Sequence, residues 1–520
     1  MPFQVAPFTT IALVIAVALL AFQWNSSSQC PRPNPPASSE PQHSEYLEYE
    51  CAGKPHQSSW GSWWHPQRTW SRVDPGYTRG QGAGAVTNDW NILYHLGGNG
   101  PWVEKVIDVV DGGIGVPEGC EVEQVHMMSR HAERYPTKRA GKRMQTLVEK
   151  MKQSGIAFKG DLSFFDTWEL FWSDDALIEQ LTSTGPFSGV LGAFTTGVRL
   201  RTRYHHLLTK ALSTRNPIKF WASDSQRVID TARYFGAGFF GLDWQNRTAL
   251  EVISESSELG ADTLTPGDTC LAYVEDEEEG HDKGYKMMGL YRATYLDAVR
   301  QRLLKQTPEV EFTHDEIYAM QEMCGFETTV RGHSRWCDVF TQDEFLSFEY
   351  ARDLLHYYRA GPGTKYGAVM GWLWLNATTN LMVEGPQAGP LFFSFVHDGD
   401  IAPMITALDI INDAEHLPIT HIPHSRKWRK SQVSPMGGRI IFELLNCVLD
   451  DHPAKYVRIN INDGITAIPA CDSGPGQSCP LADFAARTKR KGEEVGEFKE
   501  QCGLNGDAAD EITFLHQRGN

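Results

Sequence analysis

Five short apolar runs constrain the fold more than anything else in the chain. They are Glu121–Ser129 (EVEQVHMMS), Ile218–Ala222 (IKFWA), Leu391–Val396 (LFFSFV), Arg439–Leu444 (RIIFEL) and Tyr456–Ile461 (YVRINI). Each has the length of a strand and is rich in the β-branched and aromatic residues that pack well on a pleated surface. Helical periodicity is clearest over Leu191–Leu212, Tyr291–Leu304, His314–Cys324 and Phe345–Tyr358, the last three between the second and third strands. Strands in this order, with a long helical stretch between two of them, predict an α/β core sheet flanked by helices. A large, mostly α-helical subdomain is inserted into that core, with helical insertions at about 138–215 and 260–388.

Residues 88–520 form the predicted folded domain. Ahead of it, residues 25–87 begin with a Ser/Pro-rich linker (SSSQCPRPNPPASSEPQ) and end in an arm carrying Trp60, Trp63, Trp64 and Trp70. Residues 1–24 contain a twelve-residue apolar run, Ile11–Phe22. That length suits a signal-peptide core and is short for a membrane span, so the segment reads first as a cleaved signal and second as a retained anchor. Either reading puts the rest of the chain outside the cytosol, and membrane association follows only from the anchor. Ten scattered cysteines without paired CxxC units agree with disulfides rather than a zinc site. On a secretory route Asn246 and Asn376, each in an N-x-T sequence, are glycosylation acceptors.

Forty-eight basic residues face 65 acidic ones, a formal charge of −17. Nucleic-acid binding rests on excess Lys and Arg, so that function is excluded. Any phosphate ligand must instead find a local basic pocket within a repelling global field. Arg130-His131-Ala132-Glu133-Arg134-Tyr135-Pro136, directly after the first strand, supplies one. Arginine offers a planar fork of donors suited to phosphate oxygens, and a neutral histidine nitrogen between two arginines can attack phosphorus. His397-Asp398 follows the strand LFFSFV, and Arg227 lies just past IKFWA. In an open α/β sheet the carboxyl ends of strands are where ligands bind, so these residues converge on one crevice.

With these motifs in place the chain resembles the histidine acid phosphatases, in particular the secreted fungal acid phosphatases and phytases. Arg130–Pro136 is similar to their RHGxRxP signature and His397-Asp398 to their HD motif. The likeness extends through stretches such as TSTGPFSGVLGA (182–193) and SPMGGRIIFELLNC (434–447). The resemblance implies a phosphoglycerate-mutase-like core and a metal-independent, cofactor-free hydrolysis of small phosphate monoesters. His131 would be the nucleophile and Asp398 the proton donor. Arg130, Arg134, Arg227 and His397 would hold the phosphate. Since Asp398 must carry a proton to act, activity is expected to be acidic. The resemblance also implies the disulfides Cys120–Cys447, Cys270–Cys502, Cys324–Cys337 and Cys471–Cys479, which leaves Cys30–Cys51 in the arm.

Ala132 departs from the family pattern, which has glycine there. A methyl group is harmless at that position unless the backbone needs positive φ or a close approach. Broad acid phosphomonoesterase activity is the expected function, with phytase as the alternative and a non-catalytic binder of phosphorylated ligands as a weaker one. Lys138, Arg139, Lys142 and Arg143 are candidates for contacts to a polyphosphorylated substrate. The acidic run Glu275–Glu279 with Asp282 would oppose such contacts if it lay at the pocket mouth.

Overall fold

Each of the five apolar runs forms a strand. The computed structural model describes residues 90–213, 216–449 and 452–517, all within the unit His65–Asn520. The N-terminal apolar run, the linker, the tryptophan arm and Cys30–Cys51 lie outside the described residues.

The strands are β1 (Cys120–Arg130), β2 (Ile218–Ser223), β3 (Thr248–Ile253), β4 (Leu391–Val396), β5 (Arg439–Leu449), β6 (His452–Ile461), β7 (Gly464–Thr466) and β8 (Cys479–Pro480). They form one sheet in the order β3-β2-β4-β1-β5-β6-β7, with β8 on β6. The first four positions in that order are mutually parallel, and β5 turns the sheet antiparallel. The carboxyl ends of β1, β2, β3 and β4 therefore share one edge. β3 (TALEVI) carried little apolar signal because it is the edge strand and only Thr248 in it is buried.

The longer helices are α1 (Lys138–Gln153), α2 (Gly189–Arg203), α3 (His205–Leu212), α4 (Gln226–Phe239), α5 (Lys283–Gln306), α6 (His314–Arg331), α7 (Gln342–Ala360), α8 (Gly367–Glu384), α9 (Asp398–Leu408) and α10 (Leu481–Val495). Four of them, α5 to α8, come between β3 and β4. The periodicity over 191–212 reads as one helix, but the structure divides it at Tyr204. There φ −111° and ψ 29° turn the chain, so that the buried Tyr204 hydroxyl can donate to Glu443 at 2.6 Å.

Alternation along the strands gives the sheet two apolar faces. Val125 and Met127 of β1 with Phe393 and Phe395 of β4 pack against Leu207, Phe235 and Phe239 from α3 and α4. The opposite face, with Met128, Phe392 and Val396, packs against residues of α7, α8 and α9 such as Leu354, Trp374 and Ile405. Every residue of β4 is buried, as a strand covered on both sides requires. Truncating a wholly buried phenylalanine in such a core costs about 3–5 kcal/mol.

Four disulfides tie the described chain. Cys120–Cys447 joins β1 to β5 where the two residues pair in register. Cys270–Cys502, Cys324–Cys337 and Cys471–Cys479 link outer segments. No helix among the described residues is long and apolar enough to cross a membrane. Asn246 is exposed at the end of a short 3-10 turn, and Asn376 is half-buried on α8.

Candidate active site

The shared strand edge opens into a cleft of about 830 Å³ that is lined by eight arginines and four histidines. Arg130, His131, Arg134, Arg227, His397 and Asp398 all line it. The structure thus brings together residues spread over 269 positions of sequence, from Arg130 to Asp398 counted inclusively.

Three strands deliver them in different ways. β4 runs directly into α9, with His397 as N-cap and Asp398 as first helical residue. Asp400 Oδ2 accepts from the His397 backbone N–H at 2.9 Å, which fixes this corner. Arg227 is the second residue of α4, which follows β2 after a short turn. β1 behaves differently: its helix, α1, starts only at Lys138, so His131–Thr137 forms a loop. No helix N-terminus therefore lies at the histidine itself.

His131 is 2% exposed. Its backbone is pinned between Val396 O, which accepts from its N–H at 2.9 Å, and Gly437 N–H, which donates to its carbonyl at 2.8 Å. In the ring, Nδ1 lies 2.9 Å from Ala132 O. A carbonyl only accepts, so Nδ1 carries the proton and Nε2 presents its lone pair. Arg134 Nε is 3.4 Å from that Nε2. Burial, then the charges of Arg130, Arg134 and Arg227, hold the imidazole well below its ordinary pKa. It therefore stays neutral in acid, where an ordinary histidine would be cationic.

The arginines are held from behind. Arg130 Nη1 donates to Gly98 O and Ser434 O, both at 3.0 Å, and Arg134 Nη1 donates to Tyr135 O at 2.8 Å. Burial and then repulsion from Arg130 and Arg227 pull Arg134 down to about 9. The buried Nε atoms of Arg130 and Arg227 have no hydrogen-bond partner among the described residues. Crowded cations with uncommitted donors favour an anion between them.

Ala132 is not among the non-glycine residues of positive φ. Its methyl packs with Leu181, Ala193 and Val190, and its N–H donates to Thr231 Oγ1 at 3.0 Å. The loop accommodates alanine without strain.

Sequence reasoning missed three groups here. Glu255, just past β3, lies 2.8 Å from His397 Nε2. Burial opposes its ionisation, but the hydrogen bond and charge of His397 outweigh that and keep it below the usual carboxylate value. His397 therefore donates from Nε2. The signal for Glu255 was a carboxylate at the end of a strand, but that strand was weak. Lys430 and His356, both buried, approach Asp398 at 3.1 and 3.7 Å. Neither carried a recognisable motif.

Asp398 itself is held ionised. Burial raises its pKa, but the charges of Arg130, Lys430 and Arg359 draw it well below the ordinary value.

Of the residues expected at the pocket mouth, Arg139 and Arg143 line the cleft while Lys138 and Lys142 do not. Glu275–Glu279 is absent from the lining, and Asp282 is part of it. The acidic run is paired elsewhere: Asp276 with Lys365, Glu278 with Lys286 and Glu279 with Lys283. Among the described residues no cluster of three or more His, Cys, Asp or Glu has a metal-holding arrangement.

A family model described as the histidine phosphatase superfamily (branch 2) matches residues 121–462. The chain is 34% identical over 440 residues to a phytase of Candida albicans, covering 83% of this chain and 91% of the relative. It is 34% identical over 431 residues to an acid phosphatase of Komagataella pastoris, covering 81% and 88%. Among solved structures, the phytase from D. castellii matches with a TM-score of 0.75 at 31% identity, over 83% of this chain and 91% of that one.

Proposed function

The chain belongs to the histidine phosphatase superfamily (branch 2), and we propose that this acid phosphatase works through His131 as nucleophile and Asp398 as proton donor. It is a metal-independent phosphoric monoester hydrolase. The observation that carries the residue roles is the pair of contacts at the His131 ring: Nδ1 2.9 Å from Ala132 O, which makes it the protonated nitrogen, and Nε2 3.4 Å from Arg134 Nε.

A phosphate monoester enters with its non-bridging oxygens among Arg130, Arg134, Arg227 and His397. Nε2 attacks phosphorus, the P–O bond to the alcohol breaks, and the leaving oxygen takes the proton of Asp398. Water then attacks the phosphohistidine and gives a proton to the Asp398 carboxylate. The N–P bond breaks to free inorganic phosphate. Catalysis is mostly positioning and electrostatic stabilisation of equatorial oxygens by preorganised donors.

Asp398 is ionised in the empty site yet must be protonated to act. The charge of the substrate reconciles the two. A phosphate dianion among the arginines cancels part of the positive potential that depresses Asp398, so its proton affinity rises on binding. The sign is fixed: a carboxyl with a depressed pKa loses its proton as pH rises, so turnover falls on the alkaline side.

Phytate is the second reading, favoured by the outer arginines Arg139, Arg143, Arg292 and Arg359 on the wall of the same cleft. The four disulfides support a secretory route for the protein, on which Asn246 and Asn376 are glycosylation acceptors.

The test is p-nitrophenyl phosphate turnover from pH 2.5 to 7 with EDTA present, beside His131→Ala, with rapid quenching into base to trap acid-labile phosphoenzyme. The parent should be active in acid and become labelled. The variant should lose about 10⁴-fold or more of kcat and all label. Turnover that persists in the variant would reject His131 as the nucleophile.

A further inference from the structure

Asp398 is gripped through one of its two oxygens. Arg130 Nη2 at 3.3 Å, Lys430 Nζ at 3.1 Å and His356 Nε2 at 3.7 Å all make their nearest approach to Oδ2. Arg130 and His356 line the cleft; Lys430 does not. Lys430 lies wholly buried at the start of a short turn, Lys430–Val433. Its Nζ donates to the hydroxyl of Ser434 at 2.8 Å and to the Ser434 carbonyl, which also accepts from Arg130 Nη1 at 3.0 Å. Its backbone N–H donates to Asp353 Oδ1 at 2.6 Å. Both ends of the residue are tethered. Burial draws its pKa well below the ordinary lysine value and Asp398 opposes that, while three acceptors, Asp398 Oδ2, Ser434 O and Ser434 Oγ, match the three N–H donors of an ammonium aimed at Asp398 from behind.

We propose that Lys430 is a positioning residue for proton transfer: its ammonium pins Oδ2, leaves Oδ1 to carry the proton toward the leaving group, and sets the highest pH at which Asp398 holds that proton. This rests on the reading of Asp398 as proton donor.

The other groups around Asp398 respond differently to substrate. Arg130 and Arg134, from the β1 end, acquire the phosphate as counter-ion. His356 is kept neutral by burial, then by the charge of Lys430. Arg352 and Arg359, from α7, stand on the cleft wall, and Asp400, on α9, carries the opposite influence. Lys430 has no access to the cleft, so bound phosphate does not pair with it. In the occupied site it is the nearest cation still drawing Asp398 toward the ionised form. Removing it should let Asp398 stay protonated to higher pH.

The experiment measures kcat against pH for the full chain, for Lys430→Met and for Lys430→Gln, which keeps donors for Ser434 should the apolar variant misfold. Glycerol 2-phosphate, an alkyl ester that needs a proton on its leaving group, is compared with p-nitrophenyl phosphate, which needs far less help. Asp398→Asn is run in parallel. Both Lys430 variants should move the alkaline limb for the alkyl ester up by about 1–3 pH units, with a smaller displacement for the aryl ester. A limb within about 0.3 pH unit of the parent, or a uniform loss of kcat at every pH, would overturn the role of Lys430. If Asp398→Asn is impaired on the alkyl ester while the Lys430 variants keep the parent limb, only this inference fails. If Asp398→Asn hydrolyses the alkyl ester like the parent, the proton-donor reading fails and this one with it.

Discussion

The floor and the wall of the cleft are both arginine-rich, yet they are built on opposite principles. On the floor, Arg130 and Arg134 donate to backbone carbonyls, and Arg227 points Nη2 at His397 Nδ1, 3.4 Å away. Carbonyls orient a guanidinium without neutralising it. On the wall, Arg143 is paired with Glu322 at 2.7 Å, and Arg292 with Asp315 at 2.6 Å while stacking over Tyr318. The floor can thus take a phosphate without displacing any carboxylate but that of Asp398. A further phosphate at Arg143 or Arg292 must compete with a resident anion. This difference favours one phosphate held strongly on the floor and weaker hold at Arg143 and Arg292.

The sharpest way to break the comparison is to remove a floor arginine. Arg227→Ala should lower kcat/KM by about 10²–10³-fold for p-nitrophenyl phosphate, since a preorganised donor is lost from the developing charge. A change below tenfold in steady-state kinetics would mean that floor and wall are equivalent. Glu322→Gln, in contrast, releases Arg143 from its carboxylate. It should raise kcat/KM for phytate relative to p-nitrophenyl phosphate by about 3–10-fold at pH 5. An unchanged ratio in competition assays would show that the wall takes no part in substrate choice. The smallest effect is expected beneath the floor. Ala132→Gly removes a buried methyl and loosens the unfolded chain, at about 1 kcal/mol, so melting should fall by a few degrees while kcat stays within tenfold. A hundredfold rise in kcat would show that the alanine distorts the cradle.

The same contrast explains what was legible in the sequence. Arg130–Arg134 and His397-Asp398 could be placed because β1 is buried from Gln124 to its end at Arg130 and β4 throughout; such stretches write themselves as apolar runs. β4, LFFSFV, is the plainest example. Glu255 follows β3, whose edge position leaves most of its residues half-buried or exposed, so the strand and its terminal carboxylate passed unnoticed. Helix α8 was likewise not singled out. It is buried around most of its circumference, and GAVMGWLWLNATTNLMVE has little amphipathic period to read. Lys430 was out of reach altogether. A lysine in a polar stretch, SRKWRK, ordinarily means a solvated surface, and only the packing of Ser434 and Arg130 around it shows otherwise.

The position of β1 carries one more consequence. It is the first strand among the described residues, yet its neighbours are β4 and β5, at 391–396 and 439–449. His131 has its N–H on Val396 and its carbonyl on Gly437. A ribosome must therefore have released the chain beyond Gly437 before the loop of His131 has both its supports. Until then the nascent protein carries His131 without the scaffold that buries and orients it. The cleft is complete only when β5, the last of the central strands, arrives to close the sheet around β1.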